Sequence, residues 1–206
     1  MKIRRLYPGS FAANCWLLCS ADGQAAVVDP SPNASSVLDV LREEGSAPSC
    51  ILLTHGHFDH ILSMDALRDA ANIPALIHRE DLDLPSDARK NAFEAFFRQR
   101  RVWRTPDGTF ADGDVLQVGN ETVTVLHTPG HTRGSVCFLL NGGHDILTGD
   151  TLFDGNVGRC DLWGGDADAL LRSLLRLKEC DPDATIHPGH GEDARLGDAL
   201  NAIGIR

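Results

Sequence analysis

The stretch Thr54-His55-Gly56-His57-Phe58-Asp59-His60 decides how this sequence is interpreted. It places three imidazoles and one carboxylate close together along the chain. Side chains at these positions cannot all point to one side of a regular strand or helix, so we predict a loop whose side chains converge on one point. Imidazole and carboxylate groups are the ligands that zinc prefers together with thiolate. The segment therefore predicts a metal site.

Length and charge restrict the class of protein. The chain has 206 residues, of which 42% are hydrophobic and 23% charged, and its formal net charge is −10. This length suits one well-packed domain and is short for two, so we expect a single domain over residues 1–206. The acidic balance argues against a nucleic-acid partner. It does not exclude an anionic small substrate, because salt screens distant surface charges within about 8–10 Å.

The sequence also indicates where the protein works. The N-terminal stretch from Met1 to Pro8 lacks the apolar core of a secretory signal, and no later apolar run is long enough to cross a membrane. Six cysteines occur without a C-x-x-C pair, and several lie in apolar runs, which is typical of reduced, buried thiols. We therefore expect a cytoplasmic protein with no membrane partner.

Strands and helices are predicted to alternate along the chain. The predicted strands are Asn14–Cys19, Gln24–Val28, Cys50–Thr54, Ala75–His78, Val115–Val118, Thr122–His127, Val136–Leu140, Asp145–Leu147 and Ala184–His187. The predicted helices are Ala34–Glu44, Ile61–Ala71, roughly Asp87–Arg101, Asp168–Glu179 and Asp193–Ile203. Turn residues between Thr109 and Leu147 favour antiparallel hairpins there. This order predicts two sheets packed face to face, with helices outside.

The helix predicted from Asp168 has the clearest pattern. Its leucines are predicted to form one apolar stripe, and Asp166 or Asp168 is available as its N-cap. The stripe comprises Leu170, Leu171, Leu174, Leu175 and Leu177.

Three further ligand candidates follow the opening segment. His131 lies in Thr128-Pro129-Gly130-His131-Thr132, Asp150 in Thr148-Gly149-Asp150, and His190 in Pro188-Gly189-His190-Gly191. Each follows a predicted strand and has a neighbouring glycine, where the backbone can turn sharply and present a polar side chain over the end of a sheet. The opening segment also follows a predicted strand and contains Gly56, so the same local arrangement occurs four times.

These four segments, in this order, resemble the metallo-β-lactamase superfamily. The resemblance implies an αββα sandwich of two mixed β-sheets with helices on the outer faces, and a site at one edge between the sheets. It implies two divalent metal ions, zinc in the first instance, with iron or manganese as alternatives. By the same resemblance, one ion is held by His55, His57 and His131, the other by Asp59, His60 and His190, and Asp150 bridges them. Asp59 and Asp150 are the residues implied to be catalytic, Asp59 by orienting the attacking hydroxide.

Residues beside the predicted ligands have two interpretations each. Asp29 resembles the superfamily's structural aspartate that braces the site, although an ordinary turn before Pro30 explains it about as well. His127 and Thr128 are candidates for supporting His131, with a strand-end structural role as the alternative.

One branch of the superfamily fits best. The segments Gly149-Asp150-Thr151-Leu152-Phe153 and Gly158-Arg159-Cys160-Asp161-Leu162 resemble the type II glyoxalases, or hydroxyacylglutathione hydrolases. That resemblance implies hydrolysis of a thioester, and we expect an anionic thioester as the small-molecule partner. The sequence continues for about 16 residues after His190, so we do not expect the basic C-terminal helical domain of the larger glyoxalases here. Arg159 and Asp161 also stand where those enzymes have a lysine and a tyrosine.

Arg159 is the one predicted substrate-binding residue. Its guanidinium suits a bidentate pair with a substrate carboxylate, whereas Asp161 would repel the same group. The alternative is that Arg159 forms a structural salt bridge at the rim of the site.

Two other activities remain open. Persulfide dioxygenases resemble this chain in fold and motifs, and by that resemblance a single iron(II) would be held by His55, His131 and Asp150. The chain could also be another hydrolase of this fold, acting on lactones or esters. Lactonases fit less well, because Phe153 stands where they have a tyrosine.

The segment from Asp81 to Arg104 is the least family-like part. Its apolar residues are predicted to share one helical face, which favours core packing or a homodimer contact over a wall of the substrate site. These residues are Phe93, Phe96, Phe97, Val102 and Trp103. If the segment did cap the site, Arg101 and Arg104 would favour an anionic thioester.

Overall fold

The first sheet comes from the N-terminal half of the chain. The computed structural model describes residues 1–6 and 13–205, so Tyr7 and Pro8 of the N-terminal stretch lie outside the described residues. In spatial order the sheet contains β1 (Lys2–Leu6), β2 (Cys15–Cys19), β3 (Gln24–Val28), β4 (Ala47–Leu52), β5 (Ala75–His78) and β6 (Gly108–Phe110). Strands β1 to β3 are antiparallel, whereas β3 to β6 are parallel.

The second sheet comes from the C-terminal half. Its spatial order is β14 (Ala194–Arg195), β13 (Thr185–Pro188), β10 (Asp145–Gly149), β9 (Val136–Leu140), β8 (Glu121–His127) and β7 (Val115–Val118). Strands β7 to β10 form the predicted antiparallel hairpins, and β13 lies parallel to β10. A separate short hairpin pairs β11 (Leu152–Phe153) with β12 (Asn156–Val157).

Three apolar clusters hold four layers together. The central cluster joins the inner faces of the two sheets and includes Leu18, Val28, Leu52, Val125, Phe138 and Leu147. On the outer face of the first sheet lie α1 (Ala34–Glu43) and α2 (Met64–Ala71), and on that of the second lie α4 (Ala167–Leu177) and α5 (Leu196–Ala202). The predicted αββα sandwich of mixed sheets is thereby confirmed. Among the described residues, none of the helices combines the length and apolar character needed to span a bilayer.

The helix predicted for Asp87–Arg101 is wrong. Only α3 (Phe93–Phe97) is helical there, because Ala92 and Arg98 adopt left-handed backbone conformations at its two ends, with φ of 67° and 54°. Before it, the buried Asn91 amide donates to the backbone carbonyls of Pro85 and Arg101, which fixes an irregular path.

Several smaller boundaries also differ from the prediction. A 3-10 turn at Phe58–His60 precedes α2, which begins at Met64, and α5 begins at Leu196 because β14 pairs with β13 just before it. In α4 the N-cap is Asp166, which accepts a hydrogen bond from the backbone amide of Ala169. Leu171 and Leu175 are exposed on this helix, so the predicted leucine stripe is narrower than expected. Strands β1, β6, β11, β12 and β14 were not predicted.

Candidate metal centre

Strand direction brings the four ligand segments to one edge of the sandwich. In the second sheet β8, β10 and β13 run the same way, so the loops that follow them emerge at the same edge. These loops carry His131, Asp150 and His190. The loop after β4 in the first sheet carries the remaining four predicted ligands, His55, His57, Asp59 and His60. The sheets face each other, so the two sets meet across the edge.

The seven predicted ligands form three overlapping groups. His55, His57 and His131 make one group, His55, His60 and Asp150 a second, and Asp59, His60 and His190 a third. Within each group the ligand atoms lie within 4.8 Å of one another. The structure therefore brings together every residue of the predicted metal-ligand set.

Asp150 lies between the two ends of this cluster. Its Oδ1 is 3.3 Å from Nε2 of His60, and its Oδ2 is 3.4 Å from Nε2 of His131 and 3.6 Å from Nε2 of His190. One carboxylate thus faces imidazoles from both predicted metal subsites, which is the arrangement that a bridging ligand needs.

The polar atoms of the cluster fit metal ions. The Nε2 atoms of His55, His57 and His60 and Oδ1 of Asp150 are buried and lack a hydrogen-bond partner among the described residues. Leaving a buried polar atom without a partner costs free energy, so such atoms indicate a ligand that satisfies them. Neutral imidazole and carboxylate are suitable donors for divalent first-row metal ions.

Burial keeps His55 and His57 of the first group neutral. His55, His57 and His131 are at most 3% exposed. Burial, followed by the neighbouring histidines, lowers the pKa of His57 to about 3 and holds that of His55 well below its usual value. A metal ion binds the neutral imidazole, so these two histidines are ready for it without releasing a proton.

Carboxylates determine the pKa shifts in the group of Asp59, His60 and His190. Burial lowers the pKa of His60, but Asp150, Asp29 and Asp59 outweigh it and hold that pKa well above its usual value. The pKa of His190 is also raised: the Asp59 hydrogen bond and Asp150 outweigh burial. This group carries more negative charge and is more open, since the His190 side chain is 39% exposed.

Asp29 braces both the ligand loop and His60. Its carboxylate accepts hydrogen bonds from the backbone amide of Thr54 at 2.8 Å, from the Thr54 hydroxyl at 2.6 Å and from Nδ1 of His60 at 2.8 Å. It is 1% exposed and has a φ of 51°, which is uncommon for a residue with a side chain. The interpretation as a bracing aspartate is the one that this geometry supports.

His131 is supported by the backbone rather than by His127 or Thr128. Its Nδ1 lies 2.7 Å from the carbonyl oxygen of Arg159. The His127 ring stacks on His78 and hydrogen-bonds the carbonyl oxygen of Arg133 instead. Thr128 contacts the hydroxyl of Thr151, so both residues have structural roles in the described chain.

Asp81 is a second brace that the sequence did not reveal. This carboxylate is fully buried and accepts hydrogen bonds from the backbone amides of Gly56 and Gly134 and from the Thr132 hydroxyl. It therefore ties the loop of His55 and His57 to the loop of His131. No local pattern distinguishes Asp81 from the surrounding acidic residues, because its partners lie far away in the sequence.

Gly189 is required by close packing. A Cβ atom there would lie 2.3 Å from Oδ1 of Asp150 and 2.8 Å from Cε1 of His60. Any larger residue would push the Asp150 carboxylate out of place. The glycine before His190 thus leaves space for the ligands.

A cavity of about 810 Å³ opens directly onto the cluster. Five predicted ligands line its floor: His57, Asp59, His131, Asp150 and His190. Its walls are mostly apolar and comprise Phe58, Ala92, Phe96, Phe97, Phe153 and Leu162. The segment from Asp81 to Arg104 therefore contributes to the site, contrary to the preference for core packing.

Arg159 lies at the rim but is already paired. It lines the cavity, and its guanidinium makes two hydrogen bonds with the Asp161 carboxylate, at 2.6 and 2.7 Å. Arg104 is paired with Asp65 and Asp69, and Arg101 stacks on Trp103. Neither Arg101 nor Arg104 is among the described residues that line the cavity.

Together the sandwich and its edge cluster define a metal-binding protein of a known class. The chain belongs to the metallo-beta-lactamase superfamily, whose sequence profile matches residues 8–190. Members of this superfamily are generally metal-dependent hydrolases.

Individual relatives are similar over almost the whole chain. An uncharacterized protein of Mycobacterium leprae, ML0493, is 40% identical and the match covers 92% of this chain and 91% of that protein. The probable metallo-hydrolase YqgX of Bacillus subtilis is 35% identical, with 94% and 92% covered. The hydroxyacylglutathione hydrolase GloC of Haemophilus influenzae is 29% identical, with 96% and 94% covered.

Solved structures confirm the fold. The crystal structure of BLEG-1 B3 metallo-beta-lactamase has a TM-score of 0.90 at 31% identity, and 97% of each chain is covered. The crystal structure of TTHA1623 in a di-iron-bound form has a TM-score of 0.83 at 32% identity, with both chains fully covered.

Proposed function

We propose that this protein is a hydrolase that binds two divalent metal ions and cleaves thioesters. The observation that carries the proposal is the set of seven converging side chains, which Asp150 joins into one cluster. Zinc is the proposed metal, with iron or manganese as alternatives. Asp59 and Asp150 are the proposed catalytic residues, and all seven predicted ligands are the proposed metal ligands.

Two bound ions would supply Lewis-acid polarisation of a substrate carbonyl and a water molecule that loses its proton near neutral pH. The chain's own groups prepare the site for this chemistry. Asp59 lies on the cavity floor with Oδ2 3.2 Å from Nε2 of His190, so its carboxylate can accept a hydrogen bond from the attacking water and orient it. Burial of Asp150 tends to raise its pKa, but the histidines around it hold that pKa well below its usual value. It therefore stays ionised between the two subsites.

Thioesters are proposed for two reasons. A thiolate is both a good leaving group and a soft ligand, which suits a zinc site. In addition, GloC, named as a hydroxyacylglutathione hydrolase, is similar along nearly its whole length.

The geometry favours a dinuclear hydrolase over the mononuclear persulfide dioxygenase. The dioxygenase interpretation uses only His55, His131 and Asp150. It gives no function to the buried His57 and His60, whose Nε2 atoms lack partners, or to the neighbouring Asp59 and His190. A dinuclear site uses all seven.

Elemental analysis of protein purified without added metal, run beside a thioester panel that includes lactoylglutathione, tests the proposal. We expect about two ions per chain and thioester hydrolysis without oxygen uptake. Asp150→Asn should lower kcat/KM by more than a hundredfold, because it removes a charge shared by both subsites. Asp39→Asn is the matched control: Asp39 is exposed and pairs with Arg42 on α1. One iron per chain with oxygen uptake on glutathione persulfide would replace the hydrolase with the dioxygenase.

A further inference from the structure

The cavity above the metal centre has an aromatic wall that the proposed hydrolysis does not require. Phe58, from the ligand loop, contacts three rings of the irregular segment, those of Phe93, Phe96 and Phe97, at centroid distances of 5.5 to 5.6 Å. Phe96 and Phe97 remain 54% and 51% exposed and line the cavity. On the side of His190, Phe153 packs edge-on against that histidine at 6.1 Å. We call Phe58, Phe96 and Phe97 the aromatic wall.

The aromatic wall has a fixed position relative to the metal ligands. Phe58 stands between His57 and Asp59 in the sequence, and its backbone amide donates to the carbonyl oxygen of Asn91 at 2.9 Å. Trp103 closes the same segment by donating from its indole nitrogen to the carbonyl oxygen of Leu62. Hydrogen bonds therefore anchor both ends of the segment that carries Phe96 and Phe97 beside the metal ligands.

The charges around the cavity do not favour an anionic group beside the wall. Among the described residues, Arg159 is the one arginine or lysine that lines the cavity, and Asp161 pairs with it in bidentate fashion. Its guanidinium carbon also lies 5.7 Å from the Phe96 ring centre. A substrate carboxylate would have to displace Asp161 from this arginine. Two large half-exposed rings, by contrast, gain free energy whenever an apolar group covers them.

We propose that the substrate is a thioester with an apolar alkyl or aryl group next to the scissile bond, and that Phe96 and Phe97 bind that group. This inference rests on the proposed function and narrows it from thioesters in general to apolar ones. It differs from the anionic thioester expected from the sequence. The apolar group can belong to the acyl half or to the thiol half, and the two arms of the experiment separate these sources.

In the first arm the thiol is N-acetylcysteamine and the acyl group is acetyl, butyryl, octanoyl or succinyl. In the second arm the acyl group stays acetyl and the thiol is ethanethiol, butanethiol or glutathione. A buried methylene corresponds to about a three- to fourfold gain in binding, so two extra methylenes should raise kcat/KM about tenfold in the arm that matches the apolar group. Succinyl and glutathione substrates should show no such gain.

Two variants test whether Phe96 and Phe97 cause the gain in kcat/KM with the longer substrates. Phe96→Ala and Phe97→Ala should each lower kcat/KM about tenfold for the longer substrates and by a clearly smaller factor for acetyl-N-acetylcysteamine. Both rings are half-exposed, so their removal should leave the protein folded. Val102→Ala is the matched control, since Val102 is an exposed apolar residue of the same segment outside the described cavity lining. This variant should change kcat/KM neither for the longer substrates nor for acetyl-N-acetylcysteamine.

A measurement without turnover separates this inference from the proposed function. The thioether S-octyl-N-acetylcysteamine cannot be hydrolysed, and calorimetry should show that the metal-loaded protein binds it at least tenfold more tightly than the S-methyl analogue. The loss of that difference in Phe96→Ala supports the inference. Selective thioether binding with no thioester hydrolysis would refute the proposed function alone.

Hydrolysis that favours succinyl or glutathione thioesters would overturn the apolar substrate and leave the hydrolase intact. The same conclusion would follow if Phe96→Ala and Phe97→Ala kept full activity on every substrate while converting a dimer to a monomer in light scattering. That result would make the aromatic wall a contact between two copies of the chain.

Discussion

The two halves of the metal centre differ in burial and in charge. His55, His57 and His131 form a closed group of imidazoles at most 3% exposed, whereas Asp59, His60 and His190 form a group with a carboxylate and an exposed histidine. All three histidines of the closed group are buried, although His57 and His131 also line the cavity floor. In the open group His60 is buried, whereas Asp59 and His190 line the cavity and are more exposed. We therefore expect the closed half mainly to retain a metal ion and the open half mainly to meet solvent and substrate.

The pKa shifts of the histidines also distinguish the closed half from the open half. In the closed half, burial lowers the pKa values of His55 and His57, so protons do not compete with metal there near neutral pH. In the open half, Asp59 and Asp150 help to raise the pKa values of His60 and His190 above the usual value, so a bound metal must displace protons. The open half should therefore bind its ion more weakly and in a more pH-dependent way.

Removing one histidine from each half is the strongest test of this difference. We expect His131→Ala to lower kcat/KM by more than a hundredfold and to leave less than one metal ion per chain, because the closed half then has two imidazoles. His190→Ala should retain about one ion and lower kcat/KM by roughly 10–100-fold or more, because losing even a partner of a metal ligand costs about that much. Elemental analysis and thioester kinetics on the same preparations measure both quantities.

The matched control for these two variants is His144→Ala. The His144 side chain is 76% exposed and lies outside the cluster, and its loss should change neither metal content nor rate. Equal loss of both ions in His131→Ala and His190→Ala would show that the halves bind metal as one unit. The distinction between a closed and an open half would then be wrong.

Asp29→Asn tests the open half without removing any proposed ligand. The Asp29 carboxylate accepts from Nδ1 of His60, so in the neutral imidazole the proton stays on Nδ1, and Nε2, which faces Asp150, is left for a metal ion. An amide group in its place can present a donor to Nδ1, which favours the other tautomer and puts the proton on the nitrogen that would bind metal. We expect the second equivalent of metal to bind about 10–100-fold more weakly.

Metal titration followed by calorimetry measures this effect, and the affinity of the first equivalent serves as an internal control. Equal weakening of both equivalents would indicate that Asp29 stabilises the whole ligand loop through Thr54 rather than the tautomer of His60.

Much of the fold and the ligand set could be predicted because the relevant signals are local. Strand ends next to glycine place His131, Asp150 and His190, and the spacing of apolar residues predicts α4 and the central strands. The failures involve contacts between residues that lie further apart in the sequence than the spacing of a helical turn. Asp87–Arg101 has helical spacing, but the contacts of Asn91 with Pro85 and Arg101 impose an irregular path that spacing alone does not reveal.

The aromatic wall and the Asp81 brace were missed for the same reason. Phe96 and Phe97 look like core residues in the sequence, and only their position beside Phe58 shows that they face the cavity. Short edge strands such as β1 and β6 are also set by their partners in the sheet rather than by their own composition.

Asp81→Asn should have the smallest effect, and it concerns the closed half alone, because Asp81 joins the loops on either side of that half. Burial raises the pKa of Asp81 to about 6, although Thr132 and the amides of Gly134 and Gly56 donate to it. An unfolded aspartate has a pKa of about 3.9, so the folded chain binds this proton more tightly. The stabilisation from protonated Asp81 is fully present below about pH 4 and is lost as the pH rises through about 6.

The shift corresponds to about 3 kcal/mol as an upper figure, since each pKa unit is worth about 1.4 kcal/mol. Between pH 4 and pH 7, the free energy of unfolding of the wild type should therefore fall relative to that of Asp81→Asn by about 2–3 kcal/mol. Urea titrations at several pH values measure this difference, and Asp39→Asn should show no such slope. Parallel curves for wild type and Asp81→Asn would mean that Asp81 keeps an ordinary pKa. In that case its hydrogen bonds to the two loops would outweigh burial, and the closed half would be held by an ionised brace at every pH tested.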